Sequence, residues 1–594
     1  MSVPRCDIET LVHLGDQISH YEAVEAVYRV KMPKSIGAHA RALDEKLAAI
    51  TVCDPAIGSG AFPVGMMQEI VRARSALTPY FNDVHDRTAY HFKRHAIQNC
   101  LYGVDIDPGA VEIAKLRLWL SLVVDEEDVQ QIKPLPNLDY KVVVGNSLLG
   151  VEKTLFNENL LSQLEELKPK YFDETDGEKK RGYKAGIDRL IHQLTNGQTA
   201  FDFQLYFSEV FHSKKGFGVV IGNPPYGFRN VLDSKEKKYF RRERRIEFPS
   251  GDIAELFILF SLGKLTSPGG TLTFIIPKKS LYGESWKNVR KLWLENSLGF
   301  LMDASQAFEN VLLEQVSFSI RNCPHDPDCK ISIGRLNSEK SAVEIFGAFN
   351  PGEIFVEGLR NAQIYRGLYP KTLVSKISRA SVGEANSPIT GSIGISNLTP
   401  HLTFDSEGNY PCVKGIDIVR YGLKPTARYI PGPLARRYLD NCPEVKLVSQ
   451  EIIAHVQNPH PHVVIAMFLD TQKRLLNDTC VEIKLVDKRL NPKFVMAYFH
   501  STFANWYAYN FVYNRAIRTM HLIDYYIRQI ALPRVVLEEP SRQRPMIDLA
   551  DKIILAKKTD REANTSALER EIDQIVYNLY GLTPEEIAIV EGAK

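Results

Sequence analysis

The sequence predicts an α/β protein built on a doubly wound, Rossmann-like sheet. Short apolar stretches at 49–53, 101–105 and 138–144 are typical of buried strands, and each ends in a turn that carries Asp or Asn. A fourth stretch, 219–221, runs into Gly-Asn-Pro-Pro-Tyr at 222–226. Helical patterns follow the first two strands, as expected of successive βα units. The chain has 594 residues, enough for about three or four domains.

Composition limits the classes of function that are open to the chain. The 73 Lys and Arg residues nearly balance the 71 Asp and Glu residues, so the net charge is only +2 and any nucleic-acid surface must be a local patch. The absence of an 18-residue apolar run and of a signal peptide predicts a cytoplasmic protein that does not enter a membrane. The eight cysteines lack metal-type spacing, since the closest pair is Cys323 and Cys329, so no metal site is predicted.

Residues 1–50 have helical apolar spacing and are predicted to be an N-terminal helical segment.

A glycine-rich loop follows the first predicted strand. The first strand then leads into a loop in which Gly58 and Gly60 flank one serine. Two glycines let the backbone approach a ligand closely, and the loop lacks the G-x-G-x-x-G pattern of dinucleotide sites. The loop therefore predicts a nucleotide-like ligand other than a dinucleotide; a glycine-rich turn without a ligand is the alternative.

Polar side chains also end the next two strands. Asp105 closes the second strand, where a carboxylate can accept hydrogen bonds from both hydroxyls of a ribose. Asp107 precedes Pro108 and is more simply the N-cap of the following helix. Asn146 follows the third strand, and its amide can read an adenine edge, although asparagine is also an ordinary turn residue.

The stretch Asn223-Pro224-Pro225-Tyr226 is the centre of the functional prediction. Each proline fixes φ and lacks an N–H, which predicts a stiff extended loop at the carboxyl end of a strand. Asn223 Oδ1 and the Pro224 carbonyl can each accept one hydrogen of an amino group on a planar substrate, and Tyr226 can stack on its ring. The alternative is a Pro-Pro turn with a buried tyrosine. Downstream, 229–245 holds eight basic and three acidic residues, which favours either phosphate contact or a solvated face.

Changes in composition along the chain predict its division into domains. The α/β domain covers 51–345 with insertions near 75–98 and 151–215, a linker covers 346–389, an α+β domain covers 390–540, and a helical spacer covers 541–594. Between 500 and 528, aromatic residues are interleaved with basic residues, which fits a nucleic-acid surface, although many of the aromatics are also expected in the core.

These motifs, in this order, resemble those of the gamma-class adenine-N6 DNA methyltransferases. The residues that carry the resemblance are Asp54-Pro55-x-x-Gly58-Ser59-Gly60-x-Phe62, Asp105, Asn146 and Asn223-Pro224-Pro225-Tyr226. More narrowly, the chain resembles the methylase and specificity portion of type IIG restriction–modification enzymes over nearly its whole length. The resemblance implies an S-adenosylmethionine-dependent methyltransferase domain at 51–345 and a target-recognition domain at 390–540.

The resemblance also implies a role for each matching residue. The residues implied to bind S-adenosylmethionine are Asp54, Pro55, Ala56, Gly58, Gly60, Asp105, Ile106 and Asn146. In this family the 54–62 loop would hold the methionine part, Asp105 the ribose, and Ile106 and Asn146 the adenine. The residues implied to grip the target base are Asn223, Pro224, Pro225 and Tyr226, with Phe308 as a second stacking aromatic.

The implied reaction is transfer of a methyl group from S-adenosylmethionine to adenine N6 in duplex DNA after base flipping, within a restriction–modification or defence system. The sequence departs from the family pattern in two ways: an aromatic-Thr-Pro motif before the first glycine loop and an N-terminal nuclease domain are both missing. The expected partners are double-stranded DNA and a separate nuclease or defence-complex subunit. The alternatives are a catalytically weak DNA-recognition subunit and a methyltransferase acting on RNA or on a protein amide.

Overall fold

The computed structural model describes most of the chain in two compact units. The described residues are 3–23, 31–124, 138–149, 158–195, 201–227, 238–240, 246–305, 307–308, 313–337, 339–340, 342–356, 361–518 and 520–592. Unit 1 takes 1–277, 291–301 and 316–329, and unit 2 takes 278–290, 302–315 and 330–594. No helix within the described residues has both the length and the apolar content needed to cross a membrane.

Unit 1 contains the predicted doubly wound sheet. Its strands are β1 (Val52–Asp54), β2 (Leu101–Asp105), β3 (Val142–Val144), β4 (Phe217–Gly222), β5 (Thr266–Pro277), β6 (Asn296–Ser305, of which 302–305 fall in unit 2) and β7 (Gln315–Pro324). Their order is β3-β2-β1-β4-β5-β7-β6, and β1 to β5 pair in parallel. The strand order reverses between β1 and β4. Open α/β sheets bind ligands outside the carboxyl ends of their strands at such a switch point.

Unit 1 has helices before and after β1, and those that follow β1 and β2 lie where the sequence predicts them. They are Arg5–Ala23, Lys34–Ala38, Ala40–Ala48, Ala61–Ala76, Ala89–His95, Pro108–Val123, Glu158–Asp173, Gly177–Leu194, Phe203–Tyr206, Ser208–Lys214 and Ile253–Phe260. Helix Lys287–Glu295 has residues in both units. The helices after β1 and β2 bury Met67, Ile70 and Leu118 in one core with Val52 and Leu101. Burial of these side chains away from water holds the first two strands against their helices.

For two segments of unit 1, the structure can be compared with the element that the local sequence pattern predicts. The charged segment at 151–215 is predicted to be a helical insertion, and the two long helices in its described part share a small core that includes Leu164, Ile187 and Leu190. The alternation at 316–320 predicts an edge or hairpin strand, but β7 lies between β5 and β6. The edge alternative is therefore wrong, whereas the hairpin alternative agrees with the structure, because β6 directly precedes β7 in the chain and lies beside it in the sheet.

Unit 2 is an α+β structure with small sheets. A four-stranded antiparallel sheet has the order Ile389–Ile393, Cys480–Leu485, Lys446–Gln450 and Met467–Asp470. The other strands are Ile331–Leu336, Val343–Phe349, Phe355–Val356, Asn361–Ala362, Asn409–Val413, Ile418–Val419, Gly422–Leu423, Arg428–Pro431, Ala454–Val456, His462–Val464 and Leu475–Leu476. The helices are Pro351–Ile354, Lys371–Ala380, Gly432–Leu439, Pro492–His500, Thr502–Tyr507, Asp524–Ile527, Val535–Glu538, Arg544–Thr559, Ser566–Tyr580 and Pro584–Val590.

The stretch 346–389, which its composition predicts to be a linker, is folded in its described part. It contains the helix Lys371–Ala380. The buried Asn361 side chain donates hydrogen bonds to the carbonyls of Phe511 and Val512 at 2.9 and 2.8 Å. Such tertiary hydrogen bonds fix the path of a segment whose polar composition alone resembles that of a tether.

The aromatic and basic stretch at 500–528 contributes mainly to the core of unit 2. His500, Trp506, Tyr509 and Tyr513 are each less than a tenth exposed. The prediction of a nucleic-acid surface is therefore wrong for these rings, which pack against other side chains. Sequence alone could not separate the two interpretations, because an aromatic pattern looks the same on a buried helix as on a binding face.

Candidate active site

The carboxyl edge of the unit 1 sheet carries the predicted functional side chains. Asp54 ends β1, Asp105 ends β2, Asn146 follows β3 and Asn223 follows β4. Because these four strands are parallel and adjacent, their ends lie on the same edge of the sheet. The structure therefore brings together four residues that are separated by as much as 169 positions in the sequence.

Asp54 is a buried carboxyl group with unused hydrogen-bonding capacity. It is 1% exposed, and its Oδ1 accepts a hydrogen bond from the Ala56 amide at 3.0 Å. Its Oδ2 is buried without a hydrogen-bond partner among the described residues. Burial raises the pKa of Asp54 to about 7 against the opposing effect of the Ala56 amide, and the negative charge of Asp105 adds to the rise. A cation placed at Oδ2 would satisfy the orphan oxygen and favour the ionised form.

Asp105 holds the glycine loop in place. Its Oδ2 accepts a hydrogen bond from the Gly58 amide at 2.8 Å, and its Oδ1 accepts one from the Asp107 amide at 3.0 Å. Gly58 and Gly60 adopt φ values of 52° and 81°, in the left-handed region that favours glycine. A carboxylate has about four lone-pair sites, so Asp105 can hold the loop and still accept hydrogen bonds from ligand hydroxyls.

Two contacts that support this loop escape sequence reasoning. A Cβ placed on Gly103 would lie 2.2 Å from Ile57 Cδ1, so glycine at that position lets the loop cross closely over β2. The Ser147 hydroxyl donates a hydrogen bond to the Pro55 carbonyl at 2.5 Å. Both contacts join segments that lie far apart in the sequence, and only the glycine in a strand could have signalled the first of them.

The neighbouring Asn146 and Ile106 differ in what they offer to a ligand. Asn146 Oδ1 accepts hydrogen bonds from the Leu148 and Leu149 amides at 3.0 and 3.3 Å, which is the turn role that the sequence left open. The oxygen of the Asn146 side chain is therefore occupied by the turn, and a ligand would be contacted by the side-chain nitrogen, as a donor. Ile106 is 70% exposed beside Asp105, and it presents an apolar surface at an otherwise polar edge.

The loop after β4 places an amide oxygen in a buried position. Asn223 Oδ1 is buried and has no hydrogen-bond partner among the described residues. Pro224 is buried, Pro225 is exposed and Tyr226 is half-buried. An unsatisfied buried carbonyl oxygen costs roughly 1–3 kcal/mol, so its presence in a loop this stiff indicates a position kept for a hydrogen-bond donor.

Gly222 joins the two halves of the site. A Cβ placed on this glycine would lie 2.6 Å from Asp54 Oδ1. Only glycine therefore allows the Asp54 carboxyl to pack directly against the start of the Asn223 loop. The sequence contains this glycine within the predicted motif, but its contact with β1 requires the sheet pairing to be known.

Asp252 anchors the far end of the same loop. Its Oδ1 accepts hydrogen bonds from the Gly227 amide at 3.1 Å and from the Ala254 amide at 3.0 Å. The second bond makes Asp252 the N-cap of the helix Ile253–Phe260. The contact of Asp252 with the Asn223 loop joins residues 25 positions apart and has no signal in the local sequence.

Replacement of Asp252 by alanine is expected to lower the free energy of unfolding by about 1–2 kcal/mol, because a helix loses its N-cap and the Gly227 amide loses its acceptor. Urea-induced unfolding of the full chain, followed by circular dichroism, measures the change in the first transition. Asp252→Asn is the matched control, since asparagine also caps helices. An unchanged midpoint for Asp252→Ala would show that this anchor does not stabilise the fold.

Two predicted elements are not placed in this site. Phe308 is a half-buried residue of unit 2 in the short segment 307–308, and residues 306 and 309–312 on its two sides lie outside the described residues. The basic stretch 229–245 lies outside the described residues except for 238–240. The roles predicted for both therefore stay predictions.

Comparison with known proteins shows which protein family the region around these residues resembles. Residues 99–308 match the model of the Eco57I restriction-modification methylase family. The matched region contains Asp105, Asn146 and the Asn223–Tyr226 loop, whereas Asp54 and the glycine loop lie upstream of it. The resemblance to restriction–modification methylases is thereby confirmed.

Individual relatives agree with this assignment. A protein of Methanocaldococcus jannaschii with the provisional name of a type II restriction enzyme and methyltransferase, RM.MjaORFECS2P, is 30% identical over 42% of this chain. The type II restriction enzyme and methyltransferase RM.Eco57I of Escherichia coli is 27% identical over 41% of this chain. The matched parts span only 28% and 21% of these two relatives.

The fold also matches a solved structure. The type IIL restriction-modification enzyme MmeI, solved in complex with DNA, has a TM-score of 0.54 to this chain at 12% sequence identity. The match covers 99% of this chain and 77% of MmeI. At this identity the comparison shows a shared fold, which confirms the predicted α/β class.

Proposed function

From the match of residues 99–308 to the restriction–modification methylases, we propose that this chain is a site-specific DNA methyltransferase. It transfers a methyl group from S-adenosylmethionine to adenine N6 in duplex DNA after the base is flipped, as part of a restriction–modification or defence system. The observation that carries the proposal is the buried, unpartnered Oδ1 of Asn223 on a stiff loop that packs against the buried Asp54 carboxyl. An acceptor for an amino group and an acceptor for a cationic cofactor thus lie at the ends of two paired strands.

The residues at the carboxyl edge fit S-adenosylmethionine. Asp54 Oδ2 would accept from the cationic amino group of the methionine part, which explains an orphan oxygen in a buried carboxyl. Gly58 and Gly60 keep the backbone of the loop free of side chains where the methionine part would pass. Asp105 would accept from the ribose hydroxyls, the exposed Ile106 would cover one face of the adenine, and the Asn146 amide nitrogen would donate to its edge. When bound, the cofactor supplies an electrophilic methyl group on a sulfonium sulfur.

Asn223, Pro224 and Tyr226 orient the target base in this proposal. Asn223 Oδ1 and the Pro224 carbonyl accept one hydrogen each from the N6 amino group, which draws nitrogen electron density out of the ring and aligns it for attack. Stacking on Tyr226 returns about 1–3 kcal/mol of the few kcal/mol spent on extruding the base. Phe308 of unit 2 is proposed as a second stacking ring. The loop contains no cysteine, so the residues act by orientation and hydrogen bonding and not through a covalent link to the base.

Affinity for the cofactor is expected to fall roughly ten-fold between about pH 8 and about pH 6. The pKa of Asp54 is raised to about 7, so the carboxyl is ionised above that pH and neutral below it, and only the ionised form attracts the cationic amino group. Isothermal titration calorimetry with S-adenosylhomocysteine, which has the same amino-acid part, measures the dependence. Asp54→Asn should bind more weakly and with a flat pH profile. An equal pH dependence in wild type and Asp54→Asn would exclude Asp54 as the titrating group.

Sequencing the DNA of an expression host for N6-methyladenine tests the proposed activity and also provides the recognition sequence. The expected result is full modification of one short motif in cells that carry the wild-type chain and none in cells that carry Asn223→Ala. Incubation of the purified chain with labelled S-adenosylmethionine and DNA, RNA or protein separates the alternatives. Label in RNA or protein would replace the proposed substrate, and tight DNA binding without any label would identify a recognition subunit.

The remaining parts of the chain have proposed roles that follow from the relatives. Residues 390–540, within unit 2, are proposed to recognise the DNA target, and MmeI of the same fold was solved bound to DNA. A separate nuclease or defence-complex subunit is proposed as a partner, because the first relatives are named as restriction enzymes as well as methyltransferases.

A further inference from the structure

Unit 1 contains a cavity of about 270 Å³ at the edge of the sheet opposite the candidate active site. Thr51 directly precedes β1, Tyr102 lies near the start of β2, and Lys141 directly precedes β3. The cavity therefore opens at the amino ends of the three strands whose carboxyl ends hold Asp54, Asp105 and Asn146. The proposed function makes no use of it.

The cavity has a buried floor and an exposed mouth. Tyr102, Tyr171 and Val210 line it and are each at most 3% exposed. Asn99 and Lys214, by contrast, are exposed residues of its lining. The tyrosine hydroxyls already have partners: Tyr102 accepts from Lys141 and is hydrogen-bonded to Glu209, and Tyr171 donates to Asp139. The tyrosines consequently offer their rings, and not their hydroxyls, to an occupant.

Two lysines of the floor share one glutamate. Lys141 and Lys168 both donate to the single carboxylate of Glu209, at 3.3 and 3.2 Å. Burial lowers the pKa of each lysine. Burial alone would raise the pKa of Glu209, but the two ammonium groups outweigh it and lower the pKa to about 2. Two buried ammonium groups that share one carboxylate are costly, and burial favours their neutral form unless further negative groups approach.

Two further charged groups of the lining, Glu165 and Lys214, complete the charge balance. Glu165 faces Lys168 and offsets one of the two ammonium charges, and its carboxylate also lies 3.5 Å from His212 Nδ1. Lys214 adds a third ammonium group at the mouth, where it donates to the Ala49 carbonyl at 2.5 Å. The lining thus combines three lysines with two glutamates, and its aromatic walls lack free hydroxyl groups.

We propose that this cavity is a second ligand site, which binds a small organic anion with its ring against the tyrosines and its carboxylate or phosphate toward Lys141 and Lys168. A volume of 270 Å³ corresponds to about nine water molecules at roughly 30 Å³ each, which is enough for one six-membered ring with an acidic group. The site is separate from the cofactor site because it lies beyond the opposite ends of the same strands. Occupancy there does not require the methyltransferase activity.

Fluorine-detected ligand NMR on the full chain tests the proposal with 4-fluorobenzoate, 4-fluorophenyl phosphate and the neutral 4-fluorobenzyl alcohol. We expect saturable binding of at least one of the two anions, at least ten-fold weaker binding of the alcohol, and no displacement by S-adenosylhomocysteine. The two anions distinguish a carboxylate site from a phosphate site. Equal binding of anion and alcohol, or displacement by S-adenosylhomocysteine, would overturn the proposal, as would the absence of binding by both anions.

Variants locate the probe in this cavity. Lys168→Met is expected to weaken binding of the anion at least ten-fold, whereas Lys170→Met, on an exposed residue of the same helix, should leave it unchanged. Lys214→Met alters an exposed residue at the mouth, so it keeps the test open if Lys168→Met fails to fold, and it should weaken binding several-fold. Wild-type affinity in Lys214→Met and in any folded Lys168→Met would place the probe elsewhere and refute the site.

Discussion

Replacement of Asn223 by alanine is expected to reduce the rate of methyl transfer by about 10²–10³-fold while leaving affinity for S-adenosylhomocysteine unchanged within about two-fold. Loss of one preorganised polar group that faces the reacting atom has effects of this size in other enzymes. The physical reason is that Oδ1 is buried, lacks a partner among the described residues and is held by two prolines, so no neighbouring group can take its place. Single-turnover incubation with labelled cofactor and the recognition duplex measures the rate.

Two controls separate a catalytic effect from a general loss of structure. Asn578→Ala removes an exposed asparagine of unit 2 and should transfer methyl groups at the wild-type rate. Asn223→Asp keeps an oxygen acceptor but adds a charge, and it should retain more activity than the alanine variant. A turnover rate for Asn223→Ala within a few-fold of wild type would remove this residue from the mechanism.

Replacement of Asp105 by alanine is expected to weaken cofactor binding by at least about 10²-fold. The change removes the proposed acceptor for the ribose and also releases the Gly58 and Asp107 amides, which donate to the two carboxylate oxygens at 2.8 and 3.0 Å. Hydrogen bonds to charged groups contribute roughly 1.5–3 kcal/mol each, and about 2.7 kcal/mol corresponds to a 10²-fold change. Calorimetric titration of the full chain with S-adenosylhomocysteine measures the affinity.

The variant Asp105→Asn distinguishes the two contributions of this residue. Its single amide oxygen can accept from Gly58 or from a ribose hydroxyl, but it lacks the charge and the second oxygen, so an intermediate affinity is expected. Asp107→Asn is the matched control, because asparagine can cap the following helix as aspartate does. Unchanged affinity in Asp105→Ala would exclude both the ribose contact and the support of the glycine loop.

Much of the fold near the site could be predicted because the signals are local. A short apolar run, a turn with Gly, Asp or Asn, and a helical pattern occupy a few dozen residues, and this spacing identified the strands that end at Asp54, Asp105 and Gly222. The candidate ligand residues could be predicted for the same reason, since they directly follow those strands. Identification of Asn223 required no knowledge of the sheet order.

The contacts that make these residues into one site could not be predicted in this way. The Gly58 amide meets Asp105 across 47 positions, and the Gly227 amide meets Asp252 across 25. The close approach of Gly222 to Asp54 depends on the pairing of β1 with β4. Packing also determines which of the 500–528 aromatics are exposed, because Tyr513 is fully buried although Arg515 and Arg518 follow it closely in the sequence. Such outcomes depend on tertiary structure, and no short window of sequence contains them.

The pairing of Val52 with Val219 and of Cys53 with Val220 has a consequence for how such a protein can diversify. Backbone ladder bonds, and not the long connecting segments, set the separation between the Asp54 carboxyl and the Asn223 amide. Insertions between the strands can therefore accumulate, and a recognition region can be exchanged, without a change in the distance between these two groups. Under the proposed function, related proteins can therefore differ in the DNA sequence that they methylate while the methyl-transfer chemistry stays the same.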